Sequence, residues 1–110
     1  MPSSISVEQL STRLHRSDFP VVIDVRKEPA FAASGRMIAG ALRRRPEQTE
    51  TWCHEFTGSE VVVYCVHGHE VSQDVCALLE SHGSEAVYLE GGFEAWRKVG
   101  GHVQSTGAEQ

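Results

Sequence analysis

The sequence has few of the features that mark secreted, membrane or nucleic-acid-binding proteins. Its three cysteines are an odd number with no Cys-x-x-Cys pair, which is not typical of a secreted disulfide framework. No run approaches the roughly 20 apolar residues of a membrane-spanning helix, and residues 1–10 hold no apolar signal-peptide core. A net charge of −5 disfavours binding to nucleic acid or anionic lipid through overall charge. We therefore expect a cytoplasmic protein with no nucleic-acid and no membrane partner.

Length and composition fit one globular domain. The chain has 110 residues, of which 40% are hydrophobic and 23% charged. A chain of this size can bury one core without help from a metal or a disulfide. The last residues are rich in Gly, Ser and Thr, a composition typical of frayed ends. We predict a single domain over residues 1–102, followed by a flexible tail over residues 103–110.

Three apolar runs predict buried strands, at residues 21–25, 61–65 and 86–89. Unbroken β-branched runs are typical of strands buried on both faces of a parallel sheet. Another short strand is expected near residues 5–7, where Ser6 can cap a helix over residues 7–15. Helical patterns follow at residues 29–34, 46–56, 72–82 and 93–99. The alternation predicts an α/β fold whose parallel sheet is covered by helices on both faces.

Cys65 stands at the carboxyl end of the strongest predicted strand. In open α/β sheets, ligands bind outside the carboxyl ends of the strands. A loop that enters a helix can turn its backbone N–H groups towards an anion, and the same field favours a thiolate. Gly68 suits the tight curl that such a loop needs. This predicts a nucleophilic cysteine in an anion cradle, while a small buried residue that ends a strand is the alternative that position alone leaves open.

His67 and His69 lie in the loop after Cys65. Structural zinc sites usually have four ligands in recognisable pairs, and the only other adjacent Cys and His are Cys53 and His54. We therefore predict no metal site. Two interpretations of the loop histidines stay open: they supply donors or partial positive charge to the pocket, or they are solvated.

The other two cysteines, Cys53 and Cys76, fall within predicted helices, where we expect core residues without a reactive role. The sequence contains no Gly-x-Gly-x-x-Gly after a strand and no Walker loop. We therefore predict that the protein uses no cofactor.

Four short segments carry family motifs in a fixed order. Residues 22–26 look like a strand that ends in Asp-Val-Arg, and residues 38–41 look like the end of a Gly-His-Ile-Pro-Gly-Ala segment. Residues 64–68 look like an active-site strand and loop, and residues 91–96 look like a Gly-Gly-aromatic-x-x-Trp motif. Together, over about residues 5–101, they resemble the rhodanese family of single-domain sulfurtransferases.

The resemblance implies a three-layer α/β/α fold with a five-stranded parallel sheet. The resemblance also implies that Cys65 attacks the outer sulfur of a donor such as thiosulfate and forms a persulfide. The persulfide then passes this sulfur to a thiophilic acceptor, which is cyanide or a thiol. A protein sulfur acceptor is a further option. The donor anion is expected to bind the loop residues Val66, His67, Gly68, His69, Glu70 and Val71.

The chain departs from the family pattern at two places. Met37, preceded by Arg36, stands where the family usually has His, and Glu70 with Val71 stands where many members have Arg-Ser. A carboxylate at the rim of the cradle opposes a dianion, so we expect thiosulfate to be a poor donor.

Nearby cations bear on that expectation. Two interpretations of the three consecutive arginines stay open: they compensate for the acidic rim, or they form a solvated basic turn. They are Arg43, Arg44 and Arg45, and we include Arg43 and Arg44 among the candidate substrate-binding residues.

Asp24 and Arg26 point to one side of their strand end. We expect them to support the loops structurally, because a buried carboxylate needs a partner.

Two other functions are alternatives to sulfur transfer. A phosphatase loop of the form Cys-x5-Arg needs a cation where this chain has Val71, so a phosphatase is disfavoured. A non-catalytic rhodanese-like module for binding or redox sensing is the alternative. Residues 41–44 and 65–73 also look like rhodanese domains associated with chromate resistance, which suggests an oxyanion-resistance setting.

Overall fold

A computed structural model describes residues 3–107 of the chain. The strands are β1 (Ser3–Ile5), β2 (Val21–Asp24), β3 (Arg36–Ile38), β4 (Leu42–Arg43), β5 (Glu60–Tyr64), β6 (Glu85–Leu89) and β7 (Val103–Ser105). The helices are α1 (Val7–Leu14), α2 (Glu28–Ser34), α3 (Thr49–Trp52), α4 (Glu70–Ser81) and α5 (Gly92–Lys98), with 3₁₀ turns at Pro46–Gln48 and Cys53–Phe56.

Five parallel strands form the main sheet, in the order β1-β6-β5-β2-β4. The central strand β5 alternates between two hydrophobic cores. Its Val62 packs in one core with Leu10 of α1 and Trp96 of α5, and its Val63 packs in the other with Leu79 of α4. The three-layer α/β fold is therefore as predicted. Because the five strands are parallel, their carboxyl ends all lie at the same edge of the sheet.

The start of α1 lies where the sequence predicts it, at the capping residue Ser6. Ser6 and Gln9 form a reciprocal cap at the start of α1. The backbone N–H of Gln9 donates to Ser6 Oγ at 3.1 Å, and the N–H of Ser6 donates to Gln9 Oε1 at 2.9 Å.

The helix expected over residues 46–56 is instead split into a 3₁₀ turn, α3 and a second 3₁₀ turn. There, Thr49 donates its hydroxyl to the Pro46 carbonyl at 2.6 Å, a side-chain bond that competes with regular helix.

The end of the chain differs from its prediction. Residues 103–105, expected in a flexible tail, form β7, which pairs antiparallel with β3 in a separate two-stranded ribbon. Residues 108–110 of the predicted tail lie outside the described residues, and the domain boundary at residue 102 stays a prediction. Within the described range, no helix is long and apolar enough to cross a bilayer.

Candidate active site

Cys65 directly follows β5 and is buried, with 6% of its surface exposed. Its thiol donates to Oγ of Ser72 at 3.2 Å, and the Ser72 hydroxyl lies 3.4 Å from the carbonyl oxygen of His69. Ser72 is fully buried in the first turn of α4. The start of α4 thus brings a hydroxyl group to the sulfur, a contact that the sequence analysis missed. The sequence did offer a signal for this contact, because Ser72 falls in the first turn of the predicted helix that follows Cys65.

Glycines let the loop after Cys65 pack tightly against the start of α5. Gly68 has φ +75°, and a Cβ atom there would lie 2.7 Å from the carbonyl oxygen of Leu89. A Cβ atom on Gly92 would lie 2.5 Å from the carbonyl oxygen of Cys65. The N–H of Phe93 donates to that same carbonyl at 2.9 Å. The Gly-Gly-aromatic motif therefore fixes the backbone on which the sulfur sits.

The loop leaves its backbone donors free. The N–H groups of residues 67–71 make no hydrogen bond to any residue in the range 3–107, and no side chain caps α4. The carbonyls are held instead: Gln73 donates its side-chain amide to the Gly68 carbonyl at 3.1 Å and its backbone N–H to the His69 carbonyl at 3.2 Å. Free N–H groups at a helix N-terminus suit an anionic ligand.

The predicted binding residues differ in their exposure. His67, His69 and Glu70 are exposed, Val66 and Val71 are half-buried, and Gly68 is buried. The two imidazole rings lie with their centroids 6.1 Å apart. Exposure places both rings at the rim of the loop, where they can meet a ligand or the solvent.

Glu70 borders an acidic groove of about 300 Å³ between α4 and the turn that begins at Pro46. Its charged residues are Lys27, Glu47, Glu70 and Asp74. Three carboxylates and one ammonium group therefore line this groove, which includes Glu70 and Val71 but none of residues 65–69. The negative charge beside Glu70 opposes a dianion that comes close to this groove.

Arg43 and Arg44 are engaged away from the loop. Arg43 donates to the carbonyls of Arg26 at 2.6 Å and of Asp24 at 3.2 Å. Arg44 pairs with Glu55 at 2.8 Å. Within the described chain, neither side chain has a hydrogen bond or ion pair with residues 65–71. The structure thus does not bring them to Cys65, because they satisfy carbonyls and carboxylates beyond the ends of β2 and β4.

Arg45, the third cation of this turn, pairs with Glu28 at 3.2 Å and is exposed. The turn is therefore not a free basic surface, since all three guanidinium groups have a carboxylate partner. The exposed pair of Arg45 with Glu28 contributes little stability.

Asp24 and Arg26 form a buried ion pair beneath the site. They are 0% and 2% exposed, with Arg26 Nη2 2.6 Å from Asp24 Oδ2. Tyr64, the residue before Cys65, donates its phenol to Asp24 Oδ2 at 2.8 Å and accepts from the N–H of Ile38 at 3.0 Å. Burial raises the pKa of Tyr64, and the Asp24 carboxylate raises it further, so the phenol stays a donor.

The remaining cysteines are both buried. Cys76 lies in α4 among the core residues on that face of the sheet. Burial raises the pKa of Cys76 to about 12, and the nearby Glu80 carboxylate adds to the effect. A thiol with that pKa is protonated at neutral pH and is a poor nucleophile.

Comparison with known proteins matches the chain to a family. The Rhodanese-like domain model matches residues 6–99. The chain is 32% identical over 97 residues to Thiosulfate sulfurtransferase GlpE of Ectopseudomonas mendocina, covering 86% of each chain. It is 37% identical over 84 residues to the protein of the same name from Pseudomonas fluorescens, covering 74% of each.

Solved structures agree on the fold. A rhodanese-like domain protein from Staphylococcus aureus superposes with a TM-score of 0.79 at 27% identity, over 94% of this chain and 99% of that one. A Rhodopseudomonas palustris protein described as a possible tyrosine phosphatase gives a TM-score of 0.79 at 22% identity, over 94% and 85% of the two chains. That second likeness concerns the fold alone.

Proposed function

This chain belongs to the rhodanese family, and from that premise we propose that it is a sulfurtransferase whose Cys65 carries the transferred sulfur. The observation that carries the proposal is the position of Cys65. A buried thiol follows the central strand, contacts a buried hydroxyl and precedes five backbone N–H groups that have no partner within residues 3–107. A sulfur nucleophile and an anion cradle thus share one loop.

The proposed reaction is two displacements at sulfur. The Cys65 thiolate attacks the outer sulfur of thiosulfate or a related donor, the sulfur–sulfur bond of the donor breaks, and sulfite leaves with the bonding electron pair. The acceptor, cyanide or a thiolate, then attacks the terminal sulfur of the Cys65 persulfide. Cys65 leaves as a thiolate, so the cycle closes with no oxidant or reductant.

The chain's own groups have distinct tasks in this reaction. The free N–H groups of residues 67–71 and the N-terminus of α4 stabilise negative charge on the donor and on the persulfide. The Ser72 hydroxyl can turn from the carbonyl of His69 to donate to the thiolate once Cys65 has lost its proton. Arg43 would act only indirectly, by holding the Asp24 carbonyl at the end of β2. Arg44 would do so at one remove, because its side chain donates to the carbonyl of Arg43.

Thiosulfate is a weak match for the rim of this site. Glu70, Glu47 and Asp74 oppose a dianion, and Lys27 is the single cation in their groove. We propose that donors of lower charge, such as organic persulfides, react more efficiently than thiosulfate. A thiol or a protein thiol is the acceptor that this chemistry allows in a cell.

A steady-state assay tests the proposal. Sulfane sulfur transfer from thiosulfate and from a persulfide donor to cyanide is measured for the wild type, Cys65→Ser and Cys76→Ser. The expected result is loss of transfer in Cys65→Ser and retention in Cys76→Ser. A folded wild-type protein that accepts sulfur from neither donor would instead favour the non-catalytic binding or redox-sensing module. The link to chromate resistance stays a prediction.

A further inference from the structure

A second cluster of side chains that can bind a metal ion lies away from Cys65. Cys53 and His54 occupy the 3₁₀ turn before β5, and His82 ends α4. One ligand atom from each residue lies within 4.8 Å of the other two. The turns around them are tied together, since the Thr57 hydroxyl donates to the carbonyl of His82 at 3.0 Å. The group therefore sits at the amino-terminal edge of the sheet, opposite the edge where Cys65 lies.

The His82 imidazole is oriented as that of a metal ligand commonly is. Nδ1 of His82 lies 2.9 Å from the carbonyl oxygen of Leu78, which leaves Nε2 available. A histidine ligand commonly donates its second ring N–H to a carbonyl in this way, because that bond fixes the tautomer and the ring orientation. The His54 ring is exposed, meets His82 at 87° with centroids 5.2 Å apart, and has no hydrogen bond to any described residue.

The sulfur completes the set from the protein interior. Cys53 is fully buried, and its thiol is 3.8 Å from the carbonyl oxygen of Glu50, a long and weak contact. Thiolate and imidazole are the ligands that zinc and copper(I) prefer. Bonds of about 2.0–2.3 Å place tetrahedral ligand atoms roughly 3.5 Å apart. The present spacing of up to 4.8 Å is wider, so the three side chains have to draw closer as the metal binds.

We propose that Cys53, His54 and His82 bind one transition-metal ion of the zinc type, with a fourth position open to solvent. The Cys53 proton leaves to solvent as the metal binds. The ion would tie the 3₁₀ turn before β5 to the end of α4. The site is independent of sulfur transfer, because none of its ligands belongs to the loop after Cys65.

The test uses Co²⁺ and Zn²⁺ with the full chain carrying Cys65→Ser, which removes the candidate nucleophile as a competing thiolate ligand. Co²⁺ bound by a thiolate in tetrahedral geometry has a characteristic charge-transfer absorption. We expect one equivalent of Co²⁺ to produce it and one equivalent of Zn²⁺ to displace it. Added singly, His54→Gln and His82→Gln should each weaken binding by more than the roughly 10–100-fold typical of losing an outer-shell partner.

A matched control comes from the other helix that ends in histidine. His15 ends α1 and, like His82, places Nδ1 near a carbonyl four residues back, at 2.7 Å from Ser11 O. His15→Gln should leave Co²⁺ binding unchanged. Cys53→Ser should abolish the charge-transfer absorption, with circular dichroism to check folding. Since His54 is exposed, His54→Gln keeps the test valid even if Cys53→Ser unfolds.

Two outcomes would overturn the proposal. The first is a folded protein that shows no cobalt–thiolate absorption at saturating Co²⁺. The second is binding that His54→Gln and His82→Gln weaken no more than His15→Gln does, which would mean that the two rings are only packed edge to face.

Discussion

The thiol of Cys65 and the hydroxyl of Ser72 lie 3.2 Å apart across the junction of β5 and α4. Both side chains are buried, so water does not compete well for the contact. A hydroxyl in this place can accept from the thiol and donate to the thiolate or persulfide. Ser72 is therefore a positioning residue for the proposed nucleophile.

Replacing Ser72 by alanine should slow sulfur transfer. A hydrogen bond to a charged group contributes about 1.5–3 kcal/mol, so kcat/KM should fall roughly 10- to 150-fold. Ser84→Ala is the matched control, since Ser84 is also buried but donates to the Phe56 carbonyl at 2.8 Å. Equal losses in the two variants, at equal folded fractions, would mean that the Ser72 contact is merely structural.

Replacing Glu70 by arginine should raise kcat/KM for thiosulfate. Because water and salt screen an exposed charge, its reversal is worth about 1 kcal/mol, a gain of roughly fivefold in kcat/KM. The gain should shrink with added salt and be absent for an uncharged persulfide donor. Glu8→Arg makes the same charge change at an exposed residue of α1 and should have little effect on kcat/KM. A gain equal for charged and neutral donors would show that Glu70 acts on loop structure and not on charge.

Iodoacetamide should distinguish the cysteines. The pKa of Cys76, raised to about 12 by burial, keeps that thiol protonated and unreactive at pH 8. We expect alkylation of the folded protein at Cys65 well before Cys76, as measured by peptide mass spectrometry over time. Denatured protein provides the control, because both thiols should then react at similar rates. Faster alkylation of Cys76 in the folded state would contradict the burial argument.

Tyr64→Phe should destabilise the fold. It removes the phenol that donates to Asp24 at 2.8 Å and accepts from the Ile38 N–H at 3.0 Å. Buried groups left without a partner should lower the free energy of unfolding by about 1–3 kcal/mol in urea titrations. Tyr88→Phe is the control, since no hydrogen bond of its phenol occurs within the described residues. Equal stability of the two variants would remove the support role given to this network.

The sequence predicted the elements whose signals are local. Unbroken apolar runs predicted β2, β5 and β6, and Ser6 predicted the start of α1. The two-residue strand β4 and the β3–β7 ribbon carry no periodic pattern of that length. Their pairing depends on contacts between residues far apart in the chain, which no local window contains.

The same limit applies to the sites. Cys65 could be predicted because a strand end, a glycine and a helix start lie together in sequence. The partners of Arg43, by contrast, come from the end of β2, and His82 meets Cys53 only after α4 has packed against the sheet. Contacts assembled across elements were therefore the ones that sequence reasoning missed.

The central claim is that Cys65 carries sulfur, and intact-mass spectrometry of the folded protein tests it most directly. After incubation with thiosulfate or a persulfide donor and removal of excess reagent, the wild type should gain the mass of one sulfur atom. Addition of cyanide should remove that mass, and Cys65→Ser should never gain it. The account would be contradicted by a folded wild type that gains no sulfur from any donor, or by a gain that persists in Cys65→Ser.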